Sequence, residues 1–181
     1  MRTAFHIFTV ILMFGLSKIA HAQTAHDFSF TAIDGTILPL DQYQGQVVMV
    51  VNTASACGFT PQYDEMQALY AEYESQGFVM LAVPSNDFGK QEPLTADGIK
   101  DFCEVNFNTT FPLTEKTMVK GDDAHPFYQW AGAQAGILGK PRWNFHKYLI
   151  GRDGNLLAWF STATPPTSNK VKAALEKALG S

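Results

Sequence analysis

The 181-residue chain contains two cysteines, Cys57 and Cys103, and the first has neighbours that suit a reactive thiol. Cys57 lies in Val51-Asn52-Thr53-Ala54-Ser55-Ala56-Cys57-Gly58-Phe59-Thr60-Pro61, after an apolar run and before a Thr-Pro pair that signals a helix start. Open α/β sheets place ligands at the carboxyl ends of their strands. A thiol just ahead of a helix also meets the positive end of the helix dipole. That favours the thiolate, which is the nucleophilic form. Ser55, Ala56 and Gly58 are small, and suit close approach to a sulfur better than a packed core does. The competing reading is a buried cysteine acting as a small hydrophobe. Thr60 stands where a Cys-x-x-Cys dithiol would carry its second sulfur, which excludes an ordinary thioredoxin. Ala54 stands where a peroxiredoxin would have threonine.

The elements that must position this thiol follow from the patterning. Phe28, Phe30 and Ala32 alternate with polar residues, and Asp34-Gly35 turns the chain into Ile37 to Leu40, an N-terminal β-hairpin. Val47 to Val51 lacks polar alternation, as in a central strand buried on both faces. Thr60 as N-cap and Pro61 in the first turn open a helix carrying Met66, Leu69, Tyr70 and Tyr73, which Gly77 ends. A second buried strand, Phe78 to Val83, completes a right-handed parallel βαβ unit.

A polar loop from Pro84 to Pro93 comes next, then a helix over about 96–107 marked by Ile99, Phe102 and Cys103. Further on, Phe111 to Leu113 reads as a short strand, His125 to Ala135 as a helix and Phe145 to Ile150 as a strand. Gly151-Arg152-Asp153-Gly154 turns that strand into Leu156 to Phe160, and a helix carrying Val171, Leu175, Ala178 and Leu179 closes the chain. The expected fold is α/β and thioredoxin-like: a central mixed sheet flanked by helices, with an N-terminal β-hairpin.

Composition sets the outer limits. Charged residues make up 17% of the chain and the net charge is −4, so no basic face points to nucleic acid. Two cysteines are too few for a disulfide-stapled mini-protein or a four-cysteine zinc site. His125 and His146 show no ligand spacing, and no metal is expected. Arg2, the apolar run from Ile7 to Leu16 and the Ala20-His21-Ala22 end describe a secretory signal peptide over residues 1–22. The run is too short for a transmembrane helix, which needs about 20 apolar residues. The expected mature chain, 23–181, is a single domain without stable membrane insertion, exported to the periplasm or beyond the cell.

The Cys57 segment, read on to Gln62-Tyr63, resembles the active-site segment of glutathione peroxidases in their cysteine form. Two further stretches are similar to the same family: Pro84-Ser85-Asn86-Asp87-Phe88-Gly89-Lys90-Gln91-Glu92-Pro93 and Trp143-Asn144-Phe145-His146-Lys147-Tyr148-Leu149. Weaker likenesses lie at Thr110-Phe111-Pro112 and His125-Pro126-Phe127-Tyr128-Gln129-Trp130. The resemblance implies a peroxidase with Cys57 as the peroxidatic residue and Gln91, Trp143 and Asn144 around its sulfur. Thiolate attack on a peroxide expels hydroxide or alkoxide, whose developing charge must be stabilised. Two amides and an indole N–H are neutral donors suited to that task. The product is a sulfenic acid at Cys57.

The resemblance also implies no cofactor beyond a reducing co-substrate, glutathione or a thioredoxin-like protein. Thioredoxin-dependent members carry a resolving cysteine in the helix region that holds Cys103. The chain between Gly132 and Trp143 lacks the insertion of tetrameric members, which implies a monomer open to lipid hydroperoxides as well as hydrogen peroxide. Ser85 and Asp87 depart from the family pattern, and Asp87 brings negative charge to the active loop. Lys90, Lys140, Arg142 and Lys147 flank the matched loops, and a positive rim steering an anionic reductant is expected of Lys90 and Arg142 in particular. Two other readings compete: an exported thiol-disulfide exchange protein, and a non-catalytic thioredoxin-like binding domain with Cys57 and Cys103 as a clasp.

Overall fold

The computed structural model describes residues 22–180. The signal segment expected over 1–22 therefore lies outside the described residues, apart from Ala22. Strands β1 (Ser29–Thr31) and β2 (Ile37–Pro39) pair antiparallel across the Asp34-Gly35 turn. Gly35 has φ +82 there, and Asp34 accepts from Thr36 through both backbone and hydroxyl.

β3 (Val47–Thr53) is buried along its whole length, as is β4 (Phe78–Pro84), and the two pair in parallel. Helix α1 (Gln62–Tyr73) connects them, and α2 (Ala96–Phe107) follows β4. After α3 (Pro126–Ala135), strands β5 (Lys147–Ile150) and β6 (Leu156–Phe160) form an antiparallel hairpin. β5 docks antiparallel on β3, so the sheet runs β4-β3-β5-β6 and is mixed. Helix α4 (Asn169–Leu179) closes the chain.

The period of two in β3 divides the core. Val47, Met49 and Val51 pack with Tyr63, Met66 and Leu69 of α1, Ile99 and Cys103 of α2, and Val171 and Leu175 of α4. Val48 and Val50 face the other way, against Phe127, Tyr128 and Trp130 of α3 and against Phe28 and Phe30. Both faces are apolar because both are covered, which is why the strand shows no alternation. Among the described residues, no helix is long and apolar enough to cross a membrane.

Three boundaries differ from the sequence expectation. Helix α1 begins at Gln62 with Pro61 at its cap, and Thr60 is occupied elsewhere. Phe111 to Leu113 makes no strand of its own; Leu113 forms only an isolated parallel bridge to Ala82. β5 starts at Lys147 because Phe145 sits in the left-handed region at φ +61, where an extended strand cannot run.

Candidate active site

Cys57 follows the carboxyl end of β3, in a run of tight turns that leads into α1. Thr60 N–H donates to the Cys57 carbonyl, Gln62 N–H to Phe59, and Tyr63 N–H to Thr60, each an i to i−3 bond. Thr60 is the staple of this loop. Its hydroxyl accepts from Cys57 N–H at 3.1 Å and lies 2.7 Å from the Cys57 carbonyl and 3.0 Å from that of Ala54. A hydroxyl both donates and accepts, so one side chain can tie both ends of the loop. That engagement is the physical reason Thr60 does not cap the helix.

Cys57 is 7% exposed, between exposed Ala56 and exposed Gly58 and Phe59. Phe59 N–H donates to its sulfur at 3.4 Å. This backbone donor, set by the turn, carries no side-chain signal and was not foreseen from sequence.

The other expected site residues arrive from two loops. Gln91 lies beyond β4, after Gly89 and Lys90, both in left-handed backbone at φ +65 and +54. Glycine adopts that region freely, whereas for Lys90 it is strained and needs its surroundings to hold it. The Gln91 carbonyl accepts from Ala56 N–H at 2.9 Å, which fastens this loop to the residue before Cys57. Asn144 is fully buried, and its amide donates to Gln91 Oε1 at 2.9 Å. The Gln91 oxygen is thereby committed, leaving its Nε2 as the donor.

Trp143 is 40% exposed, and its ring lies 6.1 Å from that of Phe88. Asn52, fully buried on β3, holds this strand entry: its amide donates to the Trp143 carbonyl at 3.1 Å and accepts from His146 N–H at 3.1 Å. Its backbone carbonyl also receives the Phe145 N–H. These bonds hold Phe145 at positive φ and deliver Trp143 and Asn144 to the sheet end. Sequence reading missed Asn52, although a polar residue at the end of an apolar strand was the available signal.

Glu92 was missed as well, and it is fully buried. Its carboxylate accepts from Ser55 N–H at 2.9 Å and from the Ser55 hydroxyl at 2.7 Å. Its own N–H donates to Asn86 Oδ1 at 3.0 Å. Burial pushes its carboxyl pKa above the ordinary value, with the Ser55 and Leu94 hydrogen bonds acting the other way.

Other expectations need correction. The Asp87 carboxylate accepts from Val119 N–H at 2.6 Å and Lys120 N–H at 3.1 Å, pinning a neighbouring loop. Lys147 does not belong to a positive rim, because it is fully buried. Its Nζ donates to Gln62 Oε1 at 2.6 Å and to the Thr164 carbonyl at 2.7 Å, and burial brings its pKa down to about 7. Lys90, Lys140 and Arg142 are exposed as expected.

His125 is the N-cap of α3, accepting from Phe127 N–H and stacked on Phe30 with ring centroids 4.2 Å apart. His146 stacks on Trp159, and burial lowers its pKa to about 4. Cys103 is fully buried on α2 in the same apolar cluster as Cys57. Burial pushes its thiol up to about 11, Glu92 and Glu104 adding to the rise and Tyr63 opposing it.

The family model for glutathione peroxidase matches residues 25–131. The chain is 45% identical over 159 residues to the glutathione peroxidase homolog BsaA of Halalkalibacterium halodurans, covering 87% of this chain and 100% of that protein. It is 40% identical over 165 residues to the hydroperoxy fatty acid reductase gpx1 of Synechocystis sp., covering 87% and 96%. The crystal structure of Trgpx in apo form superposes with a TM-score of 0.72 at 36% identity, covering 89% of this chain and 98% of that one. At 18% identity the fold alone recurs in a thioredoxin-family thiol:disulfide interchange protein from Chlorobium tepidum, with a TM-score of 0.62 and coverage of 89% and 100%. The fold is thioredoxin-like.

Proposed function

The chain belongs to the glutathione peroxidase family, and from that premise we propose how its own residues carry out thiol-dependent reduction of hydroperoxides. The Cys57 thiolate attacks one peroxide oxygen and the O–O bond breaks. The leaving oxygen departs as hydroxide or alkoxide and takes up a proton, and Cys57 becomes a sulfenic acid. Gln91 Nε2, the Trp143 indole N–H and the Asn144 amide are the neutral donors for the charge that develops on that oxygen. The observation that carries this assignment is a continuous chain of bonds: Asn144 amide to Gln91 side chain, and Gln91 carbonyl to Ala56 beside Cys57.

Recycling falls to Cys103 in this reading. Its thiol attacks the Cys57 sulfenic acid, water leaves, and a Cys57–Cys103 disulfide forms for an external thiol to reduce. Cys103 lies on a helix and starts buried, so α2 must open locally for the sulfurs to meet. Glutathione or a thioredoxin-like protein then supplies the electrons, and no other cofactor is needed. Exposed Lys90 and Arg142 steer an anionic donor to this end of the sheet.

Exposed Trp143 and Phe59 offer apolar surface beside the site, which suits lipid hydroperoxides as well as hydrogen peroxide. One relative is named a hydroperoxy fatty acid reductase. The charged start, apolar run and Ala20-His21-Ala22 end support export to the periplasm or beyond, in defence against oxidative stress. The short segment between Gly132 and Trp143 supports a monomer. The test is peroxide consumption by wild type, Cys57→Ser and Cys103→Ser, with each donor in turn. Loss of consumption in Cys57→Ser supports the reading, and unchanged consumption overturns it.

A further inference from the structure

Two loops carry the proposed machinery, one with Cys57 and one with Gln91, and a single buried acid lies between them. Glu92 follows Gln91 directly and is fully buried, yet no basic side chain is paired with its carboxylate among the described residues. A buried carboxylate is costly unless hydrogen bonds replace its hydration. Here those bonds come from Ser55, two positions before Cys57, through both N–H and hydroxyl. Such charge-assisted bonds are roughly twice as strong as neutral ones. Ala56 N–H meets the Gln91 carbonyl alongside, and Glu92 N–H meets Asn86. Residues 55 and 56 are thus laced to residues 91 and 92 by three bonds, two of them ending on one carboxylate.

We propose that Glu92 is a positioning residue: its carboxylate, gripping Ser55, holds the Cys57 sulfur in register with the Gln91 amide for attack on peroxide. The inference rests on the peroxidase reading above, in which Gln91 serves the leaving oxygen. Glu92 acts only through Ser55 and Gln91 and touches no substrate. Preorganised donors act only when held in place, and a shift of about 1 Å can cost roughly 10²-fold in rate. Glutamine fits the same space but cannot accept at both positions, because its amide nitrogen meets a Ser55 donor with another donor.

The experiment separates register from fold and from thiol reactivity. Wild type is first confirmed to be oxidised by hydrogen peroxide at Cys57, since failure there would remove the peroxidase reading itself. Single-turnover oxidation is then measured in Glu92→Gln beside alkylation of Cys57 by iodoacetamide, which needs no donor for a leaving oxygen. The expected result is a peroxide rate lower by roughly 10- to 100-fold, with alkylation changed by less than about threefold. Ser55→Ala, which removes one of the two Ser55 bonds, gives the same signature with a smaller loss and covers the case in which Glu92→Gln does not fold. Adding Ser55→Ala to Glu92→Gln costs little more. Equal losses in peroxide and iodoacetamide rates would overturn the proposal, as would an unchanged peroxide rate in folded variants.

Discussion

The Asn144 amide donates to Gln91 Oε1 at 2.9 Å, joining the strand entry before β5 to the loop after β4. The bond fixes the Gln91 side chain by its oxygen, so the nitrogen end is the free donor. Asn144 is held in turn: the Thr162 hydroxyl donates to its carbonyl at 2.7 Å, and Asn52 holds Trp143 through its side-chain amide and Phe145 through its backbone carbonyl. Neither amide is a loose surface group, and the pair acts as one unit.

A coupled pair loses function as a unit. Gln91→Ala or Asn144→Ala is expected to slow single-turnover oxidation of Cys57 by about 10²–10³-fold, the usual cost of removing a preorganised donor. The double variant should fall well short of the product of the two losses, because either substitution already frees its partner. Stopped-flow oxidation of the three variants measures this coupling.

Cys103 provides a second prediction. Peroxide added to the reduced protein should yield a Cys57–Cys103 disulfide in peptide maps, and a stable Cys57 sulfinic acid should replace it in Cys103→Ser. The first oxidation should proceed at nearly the wild-type rate in that variant. With its thiol pushed up to about 11, Cys103 is neutral near pH 8, and native alkylation there should label Cys57 well ahead of it.

Two buried bases make stability depend on pH. His146 is depressed to about 4 in the native state against an unfolded value of 6.5. The unfolded chain therefore binds more protons between those values, and the contribution of His146 to stability is lost as pH falls from 6.5 towards 4. The loss is about 3 kcal/mol at most, and His146→Phe, which keeps the stack on Trp159, should remove it. Lys147 is depressed to about 7 against 10.5, so the cost of burying it is greatest below pH 7 and eases as pH rises towards 10. Lys147→Met should flatten that alkaline rise. Urea midpoints of each variant and wild type at pH 4.5, 6.5 and 9.5, taken as differences, check both signs.

The proposed positive rim predicts a selective effect. Reversing Lys90 and Arg142 to glutamate should slow turnover with anionic glutathione and weaken its salt dependence, while oxidation by neutral hydrogen peroxide stays the same. Turnover across a salt series decides it. Equal salt dependence in the variant would remove the rim from the account.

The strands and helices were legible because burial on both faces leaves an unbroken apolar run in β3 and β4, and because α2 and α4 repeat apolar residues at helical spacing. Local strain hid the boundaries. Phe145 at positive φ delays β5, and no propensity forecasts a left-handed phenylalanine. Within the candidate site, motifs single out Cys57, Gln91, Trp143 and Asn144. The residues that hold them were not legible: Asn52, Ser55 and Glu92 act by hydrogen bonds between segments distant in the chain, and Thr60 ties its own loop with a hydroxyl that the sequence presents as a helix cap. Lys147 shows the converse: a lysine beside matched residues reads as surface charge, yet two acceptors, Gln62 and Thr164, draw it into the interior.

The central claim is that one sulfur, Cys57, takes the peroxide oxygen. Its most direct test is oxidation of the fully reduced protein with one equivalent of hydrogen peroxide, trapping of the sulfenic acid with dimedone, and location of the adduct by peptide mass. The account predicts adduct at Cys57 alone, in highest yield in Cys103→Ser, where no resolving thiol competes with dimedone, and none in Cys57→Ser. An adduct that forms first on Cys103, or peroxide consumption that persists unchanged in Cys57→Ser, would contradict it.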